Sequence, residues 1–358
     1  MPKKRDLILD EKDVERCMDN LGLSGYRKKI ILRKLKQRKL IPLTYGHEKL
    51  PYLLKVLGYL FGDGYLNFIG RRGDGLVWFY SKSPTDLEKI RRDITELGYV
   101  PSRVYKREKK SGIEFSFCVN ATSLLVLLHA LGVPVGEKTL QKYRVPQWIF
   151  KCSLEQKKLF LSAFFGAELT KPKPRKSRPT LFANPQLEIA KDISIEESAK
   201  EFLEDIAKLL RDFKIESAIY KRGRTHTRKK DNTKTIRYIL SIKSTPENLI
   251  RLWSKIGYEY NRERQELAKY AVAYIKYKMN LLERRRKIAE EVKKLITLGL
   301  RLAQIKKVLG IRKEDARFVE EIYRRVKRNK KIPEIRLPRK IMSFKEFIKQ
   351  HSQSNNCS

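Results

Sequence analysis

A run of helix, strand, strand and helix occupies residues 84–133, and the same order returns about 115 residues further on. A duplication of that size restricts the chain to folds with two equivalent halves. In the first copy, PTDLEKIRRDITELG carries apolar residues at helical spacing and stops at Gly98. SRVYKREKK and GIEFSFCVN alternate as a hairpin about Ser111 and Gly112, and ATSLLVLLHALGV is a second, mostly buried helix. In the second copy the order is AKEFLEDIAKLLRDF, ESAIYKRGR, a basic loop, TIRYILSIKS and PENLIRLWSKIGY. Tyr105, Lys106 and Arg107 line up with Tyr220, Lys221 and Arg222 on the first strand of each hairpin. Further strands precede both units: YLNFIG and LVWFYSK in one, TLFANP and QLEIAKDIS in the other.

Ahead of those strands each half has an apolar run ended by an acid, VLGYLFGDG (Val56–Gly64) and LSAFFGAEL (Leu161–Leu169). An acid at the C-terminal end of a helix meets the negative end of its dipole, where it is disfavoured. Asp63 and Glu168 both sit there, each with a small residue immediately before it. Gly58 and Gly62 are four apart, as are Ala163 and Ala167, the spacing that lets two helices pack closely along one face. Such a contact brings the two carboxylates together, and their repulsion is relieved by a cation. A divalent metal held by carboxylates and phosphate oxygens answers this and supplies the chemistry of phosphodiester hydrolysis. Taken singly, either run also fits a core helix with one terminal acid.

Composition narrows the partner. The chain of 358 residues has 81 Lys+Arg against 41 Asp+Glu, a formal +40 spread along its length. Self-repulsion on that scale points to a polyanion, with nucleic acid the leading candidate. No apolar segment is long enough to span a bilayer, so no membrane partner is expected, and the start MPKKRDLILDEKD lacks the apolar core of a signal peptide. Four cysteines and four histidines are scattered without metal-ligand spacing, which argues against a zinc site and fits reduced thiols in the cytoplasm. The abundance of Lys, Arg, Glu and Ile suits a thermophile.

With both motifs in a duplicated αβ setting, the chain resembles the LAGLIDADG homing endonucleases, of the single-chain, two-repeat, archaeal type, over roughly residues 50–280. VLGYLFGDG matches the signature in its small residues, last acid and final glycine; Phe61 stands where the family name has its first Asp. The resemblance implies an α+β fold of two pseudo-symmetric αββαββα repeats forming a saddle over DNA, a monomer with an internal pseudo-two-fold. It implies Mg²⁺ bound by Asp63 and Glu168, cutting of both strands of a long asymmetric duplex target, and basic residues near the centre at Lys171 and Lys82; Lys138, in the VPVGEK turn before VPQWI, is a further basic candidate. In the second motif Leu169 replaces the final glycine. Glycine there would let the chain leave its helix with positive φ, so leucine implies a different exit.

DNA contacts are expected on the alternating hairpin strands, at Arg103, Tyr105 and Arg107 on one face and at Tyr220 and Arg222 on its counterpart. Lys106 and Lys221 have the opposite parity. Two basic loops, KPKPRKSRP with Lys173, Arg175 and Lys176, and KRGRTHTRKK with Lys221, Arg222, Arg224 and Arg228, suit a phosphate backbone. Past residue 280 the sequence reads as three short helices with turns at Gly299 and Gly310. It resembles a helix-turn-helix that would offer Arg312, Lys313 and Arg317 to DNA, and it equally fits a helical hairpin capping the fold. The expected divisions are a basic helical segment 1–48, repeats 49–150 and 151–280, a helix-turn-helix-like domain 281–332 and a tail 333–358 that ends in disorder. The Met-Pro start and SNNCS end carry no protein-splicing signal, which leads to the expectation of a free-standing or intron-encoded protein working at the nucleoid. Two other activities fit the same residues: a non-cutting transcriptional regulator on this scaffold, and an intron-splicing cofactor that binds structured RNA.

Overall fold

In the computed structural model, residues 6–69, 73–109, 112–229, 231–332, 334–338 and 340–354 are described. The chain begins with β1 (Leu7–Leu9), α1 (Glu11–Asn20), α2 (Gly25–Gln37) and β2 (Leu43–Thr44). The first repeat follows as α3 (Leu50–Phe61), β3 (Gly64–Ile69), β4 (Asp74–Ser81), α4 (Pro84–Glu96), β5 (Tyr105–Lys109), β6 (Gly112–Asn120) and α5 (Thr122–Ala130). A short α6 (Gln147–Phe150) leads to the second: α7 (Leu154–Glu168), β7 (Pro174–Arg175), β8 (Arg178–Phe182), β9 (Gln186–Asp192), α8 (Glu196–Asp212), β10 (Ser217–Thr227), β11 (Lys234–Ile242) and α9 (Pro246–Arg251). Then come α10 (Arg262–Thr297), α11 (Leu302–Val308), α12 (Ala316–Lys327) and α13 (Phe344–Ser354). This is the α+β class that the sequence pattern predicts.

The chain divides into two compact units, residues 1–172 with 184–268, and residues 173–183 with 269–358. In the first unit the sheets are antiparallel, with strand orders β3-β4-β6-β5 and β9-β11-β10. Alternation sorts their faces. Leu66, Val77, Phe79, Phe117 and Val119 point inward in one sheet, and Leu187, Ile189, Tyr238 and Leu240 in the other. Helix α8 closes the second sheet with Phe202, Ile206 and Leu210. Helix starts follow local chemistry. Ser83 accepts from the Asp86 amide with Pro84 at the first turn of α4, and Ser153 with Gln156 forms a capping box on α7.

Helices α3 and α7 meet where the small residues predict. A Cβ on Gly58 would lie 2.2 Å from the Phe160 carbonyl oxygen and 3.1 Å from the Phe164 nitrogen, and one on Gly62 would lie 2.6 Å from the Ala167 Cβ. Phe61, the apolar substitute for the signature's first acid, is buried with its ring 5.8 Å from those of Phe160 and Phe202. An acid there would be unsolvated in an aromatic core.

Several details depart from the sequence reading. The stretch from Lys221 to Thr227, read as a basic loop, continues β10, with a register shift between Arg222 and His226; charge does not oppose strand pairing when side chains face water. The second basic loop folds as the β7–β8 hairpin, whose β8 pairs with β7 and leaves the second sheet with three strands against four in the first. Neither Gly62 nor Gly64 uses positive φ. Gly64 is required by space, since a Cβ would fall 2.2 Å from Leu60 Cδ2. Leu169 leaves α7 extended (φ −73°, ψ 135°) and is itself buried in the core. Ser111 of the expected first hairpin turn, Lys230 and Cys357 lie outside the described residues; Cys17, Cys118 and Cys152 are free thiols.

In the second unit, Ala289, Val292, Ile296, Ile305, Val319 and Ile322 form a core among α10, α11 and α12. The first of the three expected short helices is the end of the 36-residue α10, which runs unbroken through residue 280, while Gly299 (φ +83°) and Gly310 (φ +55°) do make the turns. Buried Asp315 binds Arg284 (2.7 Å) and Arg285 (3.0 Å). Within the tail, expected as a short extension, α13 forms because Phe344 packs on Phe182 and Phe347 on Tyr274; residues 355–358, where the disorder is expected, lie outside the described residues. No helix among the described residues is long and apolar enough to cross a membrane.

Because the atom opposing Gly58 is backbone, Gly58→Ala should cost about 3 kcal/mol in a denaturant titration. Gly25→Ala, with nothing within 4 Å at the start of α2, should change stability by less than about 0.5 kcal/mol.

Candidate active site

Asp63 lies one residue beyond Gly62, which caps α3, and Glu168 is the last residue of α7. The glycine contact makes them neighbours: Glu168 Oε1 is 3.3 Å from the Cβ position of Gly62, against the peptide that leads to Asp63. Among the described residues, no donor or cation is bonded to either carboxylate, so two acids share one place without a direct partner.

Their surroundings act accordingly. Loss of hydration raises Glu168 first, and the charge of Asp63 second, to about 7; Lys138 and Arg264 pull it back. Asp63 opens to solvent, yet protein crowds it closely enough that lost hydration raises its pKa too, and Glu114 adds to the rise. Lys138, Arg264 and Lys82 oppose that shift. Lys138 is lowered to about 8 by burial, although Glu168, Asp63 and Glu137 favour its charge. Its ammonium donates to the Gly62 carbonyl, beside Asp63.

The structure thus brings Asp63, Glu168 and Lys138 together, with Lys82 exposed at the margin. Lys171 is turned to Glu263 at 2.5 Å, both side chains being more than half exposed, and is not among the charges that weigh most on either acid. Arg264, which sequence reading passed over, takes a central place. Its Nη1 donates to the carbonyls of Phe165 (3.1 Å), Gly166 (2.8 Å) and Ala167 (3.0 Å), holding a cation at the negative end of α7 next to Glu168. Nothing in the string NRERQ marks this arginine among 81 basic residues.

The donor set fits a hard divalent cation. Two carboxylates meet at the end of the α3–α7 contact, both oxygen donors, and Asp63 opens to solvent, so water or phosphate could complete a shell. Among the described residues no cluster of three or more His, Cys, Asp or Glu exists that would form a closed protein cage.

Register places the expected DNA contacts. Tyr105 pairs with Ser116, itself opposite Tyr80, and Arg107 pairs with Glu114, so these share one outer face; Arg103 precedes β5 and lies over the Tyr105 ring at 5.3 Å. On the other sheet Tyr220 lies opposite Ile239 and Glu188, and Arg222 lies opposite Arg237. Glu188 binds Arg222 (2.5 Å) and Arg237 (3.0 Å). Lys221 has the opposite parity and pairs with Glu196 at 2.7 Å. Arg224 is exposed beyond the register shift, whereas Arg228 turns to Glu137 (3.2 Å) and Asp231 (3.4 Å). In the second unit Lys173, Arg175 and Lys176 lie on or beside the β7–β8 hairpin. Arg312, Lys313 and Arg317 are exposed around the first turn of α12.

Comparison with known proteins bears on this geometry. The chain is 32% identical to the tRNA-splicing ligase RtcB of Pyrococcus furiosus, across 89% of this chain and 32% of that protein. It is 36% identical to the DNA-directed RNA polymerase subunit Rpo1N of Methanocaldococcus jannaschii, across 78% of this chain and 21% of that protein. It therefore spans a third or less of either relative. Among solved structures, I-DmoI in complex with DNA and calcium aligns with a TM-score of 0.40 and 15% identity, across 62% of this chain and 98% of that one. Residues 155–297, the second repeat and the start of the C-terminal helices, match the family model described as a LAGLIDADG-like domain.

Proposed function

We propose that this chain is a site-specific endonuclease that hydrolyses both strands of duplex DNA at a divalent metal, Mg²⁺, held where α3 meets α7. The observation that carries this reading is the pair of unpartnered carboxylates, Asp63 and Glu168, set together by the glycine contact and flanked by Lys138 and Arg264. Asp63 and Glu168 would hold the ion, which when bound would supply a Lewis acid and an activated water. Lys138 and Arg264 place fixed positive charge where a phosphate gains negative charge during displacement. The outer faces of the two sheets, with Arg107, Tyr105, Tyr220 and Arg222, would seat the duplex, and the +40 net charge would draw it in. A monomer suffices, because both repeats are in one chain. Its setting would be the cytoplasm, at the nucleoid.

The two relatives support a separable module. One is a ligase and the other a polymerase subunit, and the segment they have in common with this chain is a fifth to a third of each. A segment shared by proteins of such different activity is not a natural source of either activity. A second reading, as a non-cutting regulator, is favoured by the C-terminal helical unit, which has a core of its own and exposes Arg312, Lys313 and Arg317 in a helix-turn-helix-like order. Binding of structured RNA by the same basic faces is the third.

Incubation with Mg²⁺ and a plasmid library of long candidate sites separates them. The parent should linearise a subset of plasmids, and Asp63→Asn should cut about a thousandfold more slowly while binding the same DNA. If neither protein cuts and both bind duplex tightly, the regulator stands instead.

The acid pair also predicts a pH signature. Glu168 is raised in the folded state, so its contribution to stability is present at low pH and is lost as pH rises through about 7. At pH 8 in EDTA, Glu168→Gln should therefore melt higher than the parent by the equivalent of about 1 kcal/mol or more, and the difference should be gone at about pH 4, below the ordinary carboxylate value. Added Mg²⁺ should raise the melting temperature of the parent at pH 8 and leave that of the variant nearly unchanged.

A further inference from the structure

We infer that Lys191 is a positioning residue that fixes Lys138 at the candidate active site; this rests on the endonuclease reading for its consequence but not for its geometry. Lys191 belongs to the inward row of β9, opposite Ile236, and has no exposed surface. An apolar residue would be the ordinary occupant of that position. Its ammonium has no carboxylate partner among the described residues. It donates to the carbonyl oxygens of Lys138 (2.5 Å) and Gln141, and lies 3.6 Å from the centre of the Tyr143 ring.

Those two carbonyls bracket one feature, the single 3₁₀ turn Lys138–Leu140 in the segment that joins the two repeats. That segment is otherwise held at a few points. The Gly136 amide donates to Leu66 (2.7 Å), Gln141 Nε2 donates to Val135 (2.5 Å), and Arg228 pairs with Glu137 (3.2 Å). Lys191 acts on Lys138 itself, at a carbonyl that otherwise accepts only the long bond from the Gln141 amide (3.4 Å) among the described residues. With both ends of the turn gripped from the second sheet, the Lys138 side chain is aimed so that its ammonium reaches the Gly62 carbonyl next to Asp63. Lys191 is not among the charges that weigh most on Asp63 or Glu168; what it touches is Lys138, through the carbonyl it donates to and through the charge of the Lys138 ammonium.

Burying an ammonium without a counter-charge is costly, and a lysine kept there at the expense of stability has a task other than packing. Protonated or neutral, the amine retains N–H donors for both carbonyls, so the tie does not depend on its titration.

Lys191→Met tests this, because methionine keeps the length and apolar volume and removes the donors. In the full-length chain, amide exchange across residues 137–143 should quicken about tenfold, with α7 protection unchanged and the melting temperature no lower than that of the parent. On a plasmid site that the parent cuts, the single-turnover rate should fall roughly a hundredfold at unchanged DNA affinity. The same substitution added to Lys138→Met should cost nothing further. Unchanged exchange across 137–143 overturns the inference, as does a rate loss that adds fully to that of Lys138→Met. If the parent cuts no DNA, the endonuclease reading falls and the exchange measurement alone decides the role of Lys191.

Discussion

The contact of α3 with α7 is the constraint on which the first unit depends. Gly58 has the Phe160 carbonyl where a side chain would be, so the helices approach until backbone meets backbone. That distance decides what surrounds it. Phe61 can reach Phe160 and Phe202 across the seam, and the two sheets, each following its own helix, take up matching places in the two repeats. It also decides where the acids go. Asp63 and Glu168 are placed by helix geometry, with no local preference of their own for a dipole's negative end.

A tight seam that ends in two carboxylates would be a defect if they were left alone. The cations around them do not form direct pairs with the carboxylates. Lys138 is spent on the Gly62 carbonyl, and Arg264 on three carbonyls of α7. Each favours the charged form of the acids while leaving the carboxylate oxygens without a direct partner. Direct salt bridges would have stabilised the protein and filled the coordination positions; cations anchored to backbone do the first in part and avoid the second. This separation is what a site for an exchangeable ion requires, and an ordinary core helix pair has no need of it.

What could be read from the sequence follows from the range of the interactions. The duplication, the motif pair, the small residues of the seam and the facing of Tyr105, Arg107, Tyr220 and Arg222 are all periodic signals within one element, and they are found as expected. Lys138 was within reach because a turn sequence pointed to it. Arg264 and Lys191 were not, since each acquires its place from residues that are distant in sequence: Arg264 from Phe165, Gly166 and Ala167, and Lys191 from Lys138 and Gln141. A lysine on an inward strand row looks like a break in the pattern until its carbonyl partners are known. The basic stretches misled for another reason. Positive charge says that side chains face water, but backbone pairing is indifferent to it, and both stretches contribute strands.

The two halves of the centre are alike in plan and unequal in detail, and the inequality is local. Leu169 continues extended into the core where Gly64 fits against Leu60, so the chain leaves α7 at once, whereas it leaves α3 by way of Gly62 before reaching Asp63. A glutamate ending the second helix and an aspartate one residue past the first cap differ in reach by about one methylene, which offsets the difference in where their backbones stop. Lys138 comes from the joining segment and Arg264 from the start of α10, so a point charge stands on one side and a planar, multiply bonded one on the other. An exact two-fold would present identical groups to both strands of a duplex. Under the endonuclease reading this arrangement would present different ones, and a chain that carries both repeats covalently is free to keep them different, which is the condition for reading a target without internal symmetry.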